Sequence, residues 1–464
     1  MLVLKEIDMY SKFLKTVVCP LYWHSQGCSN LRAELKQLEQ TQWFSSEEIQ
    51  KLQWKKLAEL LEYSFDNVPY YKNVFKMAGL SPSDIKTPAD FRKLPLLSKQ
   101  DIMKSSTDIV SAEYSTKDLS LNSTGGSTGV NLAFFNDKKR ASNELATGLR
   151  SNSWAGLDIG CKSAYLWGSA FDLSRQKRLG NRVGNFALRT LFLSSYNLSV
   201  KNMAVYARKL SQHRPKVIVA YPSPLYWFAK FLRDNGINDI RPQSVICSAE
   251  TLYDFQRELI ESVFHCPVFN RYGCREFGAI AVECSEHSGL HINAEHVYLE
   301  CLKNNGEPSS PGEIGELVIT DLDNHGMPFI RYRIGDMGTL SDKKCRCSRG
   351  LPLLGKIEGR TFDVVVGANG RALGGTFWTL LLRTSVAGIE QFQVTQETTK
   401  HITVRLVTSS LFKSEYIDSL EGKIKEYCGN DMQVRFHIVD KIPQGKSGKF
   451  RFVISKVAST SRHA

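Results

Sequence analysis

The sequence predicts an α/β protein, with a large αβ N-terminal domain followed by a small α+β C-terminal domain. Three observations carry this. The chain has 464 residues, of which 42% are apolar, which suits more than one core. Through its middle, short apolar runs alternate with stretches of helical period, the pattern of buried strands joined by helices. After Gly359-Arg360 a separate strand–turn–helix pattern begins, so the division is drawn as residues 1–359 and residues 360–464.

The elements follow in order. Leu4, Ile7, Tyr10, Leu14, Val17 and Leu21 recur at helical spacing, but Lys5, Glu6, Asp8, Lys12 and Lys15 interrupt them. That is an amphipathic helix for the protein's own surface, not the unbroken apolar core of a signal peptide. Up to about residue 120 the period stays helical, clearest over Glu47–Phe65. Val217-Ile218-Val219-Ala220 reads as a buried strand and Leu225–Asn235 as the helix after it. Ser244–Cys247 and Tyr253–Phe264 repeat the pair. Val297–Cys301, Gly315–Thr320 and Phe329–Arg333 read as strands. Beyond Arg360 come Phe362–Val366, a hairpin signal at Asn369-Gly370, a helix near Thr376–Arg383, strands at Gln391–Thr395 and His401–Leu406, and a helix near Ser414–Tyr427.

A formal net charge of +13 points to an anionic substrate, partner or surface without choosing among them. Basic residues and aromatics do not interleave in a stripe, so nucleic acid is not the expected partner. Lys441 to Ala464 holds Lys441, Lys446, Lys449, Arg451, Lys456 and Arg462 and no acidic residue. No uncharged apolar run reaches the ~18 residues of a membrane span. Eleven cysteines without a secretory signal read as a reducing, cytoplasmic setting.

Four segments carry chemistry. Ser123-Thr124-Gly125-Gly126-Ser127-Thr128-Gly129 offers three glycines and four hydroxyls; glycines let backbone N–H groups close on a polyphosphate. It is not a Walker loop, since no Gly-Lys-Ser/Thr follows. Asn270–Gly278 contains Tyr272-Gly273-Cys274-Arg275-Glu276. Tyr332-Arg333-Ile334-Gly335-Asp336 ends on a carboxylate. Pro443 to Arg451 contains Gly448-Lys449.

In this order and at these separations the four segments resemble the adenylate-forming enzymes, in their phenylacetate–CoA ligase-like branch. Val68-Pro69-Tyr70-Tyr71 and Asp90–Pro95 also look like that branch, which includes proteins of capsule and surface-polysaccharide clusters. The resemblance runs from about Val68 to Arg451. It implies a large multilayer N-terminal domain, a small mobile C-terminal domain and an active site in the cleft between them. It also implies ATP and Mg²⁺, an acyl-adenylate, and transfer of the acyl group to a thiol such as coenzyme A or to an amine.

Residue by residue, the resemblance assigns Ser123, Thr124, Gly125, Gly126, Ser127, Thr128 and Gly129 to the β- and γ-phosphates. Tyr272 and Gly273, with Ala249 and Glu250, face the adenine. Glu276 is the Mg²⁺ ligand, Asp336 the ribose ligand, and Arg360 the contact to ribose and phosphate. Lys449 is the catalytic cation of the C-terminal domain. Trp167–Ala170 and Tyr221–Pro224 border the acyl group. The chain departs from the family at Val130-Asn131, where Lys or Pro is usual, and at Phe362, where an acidic or basic hinge residue is usual and Asp363 follows one place late.

Cys284-x-x-His287, with His291 nearby, and Cys345-x-Cys347 are two close pairs of soft ligands. They read as one structural Zn²⁺ site on Cys284, His287, Cys345 and Cys347, with His291 as the alternative histidine. The functional expectation is an AMP-forming acid–thiol or acid–amine ligase. The competing reading is a non-catalytic binding protein of the same fold; retention of Glu276, Asp336 and Lys449 weighs against it.

Overall fold

Ser45 opens the helix Ser46–Asn67 with a capping box. Its hydroxyl accepts from the Glu48 N–H, and the Glu48 carboxylate accepts from the Ser45 N–H. Pro69 starts the next helix, Pro69–Ala78, in the first turn, where a missing N–H costs no bond. Gly79 ends it in the left-handed region at φ +64°. In this computed structural model residues 9–25, 28, 30–124, 132–167, 184–195, 198–360, 365–373, 375–384, 386–443 and 450–457 are described. Near the N-terminus, Leu14, Cys19 and Trp23 pack against Leu31, Leu38 and Ala146, whereas Val17 and Leu21 of the expected apolar face are exposed, and Leu4 and Ile7 lie outside the described residues. No helix among the described residues is long and apolar enough to cross a membrane.

β1 (Ser120–Ser123) and β2 (Ala133–Asn136) form a hairpin. The large sheet is built from β3 (Ser163–Trp167), β4 (Thr190–Ser194), β5 (Val217–Ala220), β6 (Ser244–Ser248), β7 (Val268–Cys274), β8 (Gly278–Glu283), β9 (Leu290–Ile292), β10 (Val297–Leu302), β11 (Gly315–Asp321), β12 (Tyr332–Ser341) and β13 (Leu353–Arg360). Its order is β10-β11-β12-β13-β9-β8-β7-β6-β5-β3-β4. β3 to β7 pair in parallel and the others antiparallel.

Both faces of the parallel part are covered, which is why Val217–Ala220 is apolar throughout. On one side Ile218, Ala220 and Val245 meet the helices Val200–His213, Pro222–Asp234 and Asp254–Phe264 through Leu210, Phe228 and Ile260. On the other, Val217, Val219, Ile246 and Phe269 meet Ala155 and Leu157, just after the helix Lys138–Ser153. The antiparallel part packs Ile280, Ile292 and Ile319 under Leu57, Leu60 and Phe75 of the N-terminal helices.

One strand begins later than the sequence suggests. The apolar run Phe329–Arg333 does not pair from its start, because Arg331 adopts φ +53° and turns its guanidinium inward to Glu300 and the carbonyls of Arg92 and Leu94. Regular pairing starts at Tyr332.

The last elements form a second, smaller unit. β14 (Val365–Val366) and β15 (Ala372–Leu373) make the hairpin signalled by Asn369-Gly370, with Gly370 at φ +81°. A four-stranded sheet has the order β18-β17-β16-β19, from β16 (Ile389–Thr398), β17 (His401–Thr408), β18 (Gln433–Ile438) and β19 (Val453–Ser455). The helices Gly375–Thr384 and Tyr416–Cys428 bury Trp378, Leu420 and Ile424 against Phe392 and Val404. Phe452 meets Tyr253 edge-on, with centroids 5.0 Å apart, so this unit touches the helix end that follows β6.

Candidate active site

Some of the predicted residues lie at the carboxyl ends of the parallel strands β6 and β7. Tyr272 lies on β7, is nearly buried, and donates its hydroxyl hydrogen to Oδ2 of Asp336 on β12 at 2.7 Å. Sixty-four positions of sequence separate the two. Asp336 is in turn the backbone partner of Arg360 at the end of β13. Gly273 is required where it stands: a Cβ there would lie 2.2 Å from the Gly278 carbonyl oxygen across the tight β7–β8 hairpin. Ala249 and Glu250 directly follow β6, Ala249 at φ +70°. The Glu250 carboxylate accepts from the Ser223 N–H at 3.0 Å, tying this turn to the start of the helix Pro222–Asp234.

Ser123 ends β1, and Thr124 clamps the foot of the glycine loop. Its N–H donates to the Leu132 carbonyl at 2.9 Å, and its hydroxyl accepts from the Leu132 N–H at 3.0 Å. Leu132 shares one buried cluster with Tyr272 and Tyr332. Gly125, Gly126, Ser127, Thr128 and Gly129 lie outside the described residues, as do Gly168–Ala170, Phe362, Asp363, Lys446 and Lys449.

Glu276 stands in the β7–β8 turn. Burial raises the Cys274 thiol well above its ordinary pKa, and the charges of Glu276 and Asp336 raise it further. The two carboxylates thus act on one half-buried group, and Cys274 stays an uncharged thiol with little nucleophilic character.

Behind this turn is a charged network that reading the sequence missed. Arg140, fully buried, donates to the Glu276 carbonyl at 2.5 Å and to Asp321 at 3.1 Å, and it also pairs with Glu144. His296 bonds the next carbonyl, that of Phe277, at 3.0 Å through Nε2, and Asp323 at 2.6 Å through Nδ1. Lys56 reaches the same Asp323 at 2.7 Å. Consecutive carbonyls of the turn are therefore held by two buried cationic side chains. The only hint in the sequence is the acidic pair in Asp321-Leu322-Asp323-Asn324 within an apolar surrounding.

Both His296 nitrogens face acceptors, the arrangement that suits a doubly donating ring, an imidazolium. Burial opposes that charge, but the bond to Asp323 and the charges of Asp321 and Asp323 prevail and raise its pKa above the usual histidine value. Burial likewise disfavours charge on Asp323, yet Lys56 and His296 hold it well below the usual carboxylate range. A raised histidine stabilises the fold fully below its unfolded pKa of about 6.5 and loses that effect as pH rises through the folded value. The urea-stability difference between the wild type and His296→Gln is expected to be largest at about pH 5.5–6.5 and to shrink at higher pH. A difference that grew with pH would contradict the doubly donating ring.

The cysteine–histidine cluster forms with one correction. Cys284, His291, Cys345 and Cys347 present ligand atoms that all lie within 4.8 Å of one another. His287 is not in the cluster. It takes φ +47° and turns to Glu283, 3.3 Å away, against the ring of Phe269. The Cys284–Cys345 Sγ separation of 3.6 Å is too long for a disulfide and close to the roughly 3.8 Å of two thiolates on a tetrahedral zinc. His291 places Nδ1 3.4 Å from the Leu351 carbonyl and Nε2 3.2 Å from Cys347. Nδ1 therefore carries the proton and Nε2 offers its lone pair to the cluster. The donor set fits zinc.

The fold is similar to that of solved acyl-CoA ligases of the adenylate-forming superfamily. A crystal structure of 2-hydroxyisobutyryl-CoA ligase in the postadenylation state matches with a TM-score of 0.71 at 18% identity, covering 88% of this chain and 90% of that one. Residues 375–456 match the family model of the CapK C-terminal domain. Protein CapK of Staphylococcus aureus is 28% identical over 417 residues, 88% of this chain and 89% of the relative. The phenylacetate-coenzyme A ligase of Thermus thermophilus is 26% identical over 330 residues, 69% of this chain and 72% of the relative. The chain is a homologue of CapK and of the phenylacetate-coenzyme A ligases.

Proposed function

We propose that this protein is an ATP-dependent, AMP-forming acid–thiol ligase. A substrate carboxylate oxygen attacks the α-phosphorus of ATP, the bond to pyrophosphate breaks, and an acyl-adenylate forms. A thiol, with coenzyme A as the first candidate, then attacks the acyl carbon, loses its proton and releases AMP. The observation that carries this reading is the Tyr272–Asp336 bond at the strand ends, with Arg360 opposite Asp336. An aromatic ring and a carboxylate held this way suit an adenine and the two ribose hydroxyls. Ser123–Gly129 would take the phosphates and Ala249 and Glu250 would border the base. Glu276, a hard oxygen donor, would hold Mg²⁺ carried on ATP.

The division at Arg360 assigns residues 360–464 the role of a small mobile domain that brings Lys449 to the phosphates. The setting is cytoplasmic. A sugar or amino-acid amine replaces the thiol in the second reading, as the resemblance to proteins of capsule and surface-polysaccharide clusters implies. Offering coenzyme A or an amine panel to enzyme preloaded with acyl-adenylate separates the two: the true acceptor releases AMP at a raised rate.

Zinc on Cys284, His291, Cys345 and Cys347 would be structural, because four protein ligands leave no open position. It would pin the β8–β9 turn to the loop before β13. Elemental analysis of protein purified without chelator is expected to give one zinc per chain. Prolonged chelation is expected to lower the melting temperature while MgATP still binds. Zinc-free protein of unchanged stability would overturn this assignment.

A further inference from the structure

Across the carboxyl ends of the parallel strands, pairing sets Leu166 beside Ala220, Ala220 beside Cys247, and Cys247 beside Asn270. The next row is Trp167, Tyr221, Ser248 and Arg271, of which Ser248 and Arg271 are themselves paired. Residues of one row share a face of the sheet. The rings of Trp167 and Tyr221 meet with centroids 4.2 Å apart. Two residues back on the same face are Tyr165, Val219, Ile246 and Phe269. One residue forward are Ala249 and Tyr272. The row therefore adjoins the nucleotide residues, in the crevice where open parallel sheets bind ligands.

Arg271 is unusual among the arginines of the interior. Arg140 pairs with Asp321, Arg150 with Glu295, and Arg331 with Glu300. Among the described residues Arg271 has no carboxylate partner; its guanidinium donates to the neutral Asn152 Oδ1 at 2.8 Å. Glu144, on the same helix as Asn152, is taken by Arg140. Desolvation holds the Arg271 pKa below the ordinary guanidinium value. A half-buried charge without a counter-ion is costly, and an incoming oxyanion would remove that cost. A groove of about 230 Å³ runs along this helix face, lined by Glu144, Gly148 and Asn152, the residue that accepts from Arg271.

We infer that Arg271 binds a second anionic group of the acid substrate. The acid that is activated carries two oxyanions: one attacks ATP, and the other pairs with the Arg271 fork while the body of the molecule lies against Trp167 and Tyr221. This rests on the ligase reading above. A planar guanidinium pairs two-pronged with carboxylate or phosphate, so both remain as the second group.

The test is pyrophosphate release with MgATP from length-matched monocarboxylic acids, dicarboxylic acids and acids bearing a terminal phosphate. Wild type, Arg271→Lys and Arg271→Gln are compared. The wild type is expected to favour one dianionic series over its monoanionic match by about 10²-fold or more in kcat/KM. Arg271→Gln should lose that preference mainly through KM, Arg271→Lys should keep part of it, and both should bind MgATP as the wild type does. The series that wins tells carboxylate from phosphate. A wild type that prefers monoanionic acids, or an Arg271→Gln variant that keeps the preference, overturns the inference while leaving the ligase reading in place. Silence with every acid overturns both.

Discussion

Lys449→Ala is expected to cut the rate of adenylation by about 10²–10³-fold, the scale of losing one preorganised donor at a developing anion. As the carboxylate attacks, negative charge grows on the α-phosphate and on the departing pyrophosphate. An ammonium between them stabilises the transition state more than bound ATP. ATP affinity should therefore weaken much less, since Tyr272, Asp336 and the phosphate loop remain. The second half-reaction, started from preformed acyl-adenylate, should be largely spared, because the proposed mobile domain has by then carried Lys449 away. Lys446→Ala is the control and should be mild. Intact adenylation in Lys449→Ala with loss in Lys446→Ala would mean that the other lysine of the tail is the catalytic one.

Arg140→Ala is expected to destabilise the protein by about 3–5 kcal/mol, the cost of leaving a buried carboxylate without its cation. Arg140 and Asp321 are both fully enclosed, and the helix carrying Arg140 is itself capped by Asp137, which accepts the Arg140 N–H at 2.8 Å. The Glu276 carbonyl loses its donor at the same time. Urea denaturation should show a lower midpoint, and the variant that remains folded should need more Mg²⁺ for half-maximal rate, because the turn bearing Glu276 is no longer held. Arg140→Lys should restore part of the stability. A variant as stable as the wild type would mean that Asp321 and Glu276 find other donors.

The sequence made the fold legible where the physics is local. Val217–Ala220 and Ser244–Cys247 are apolar on both faces because both faces are covered, and the helices between them carry one apolar stripe. Tyr272, Glu276 and Asp336 were singled out because their order along the chain resembles a family pattern; composition alone would not have joined Tyr272 on β7 to Asp336 on β12, which meet in the structure. The histidine that joins the cysteine cluster differs from the expected one because Cys-x-x-His spacing favours His287, whereas the left-handed turn at that residue aims its ring elsewhere and β9 brings His291 to the cysteines. Phe329 to Arg331 read as strand by apolar character, but the buried Arg331 breaks the run. The network of Arg140, His296, Asp321, Asp323 and Lys56 was hidden, since charged residues read as solvent-facing until distant segments bury them together.

The most direct measurement is the stoichiometry of nucleotide products with purified protein, MgATP and a panel of carboxylic acids. An AMP-forming ligase yields pyrophosphate and AMP in equal amounts, only when a suitable acid is present, and faster once an acceptor is added. Release of ADP and phosphate, or tight ATP binding with no acid-dependent pyrophosphate across the panel, would contradict the account and favour a non-catalytic binding protein of this fold.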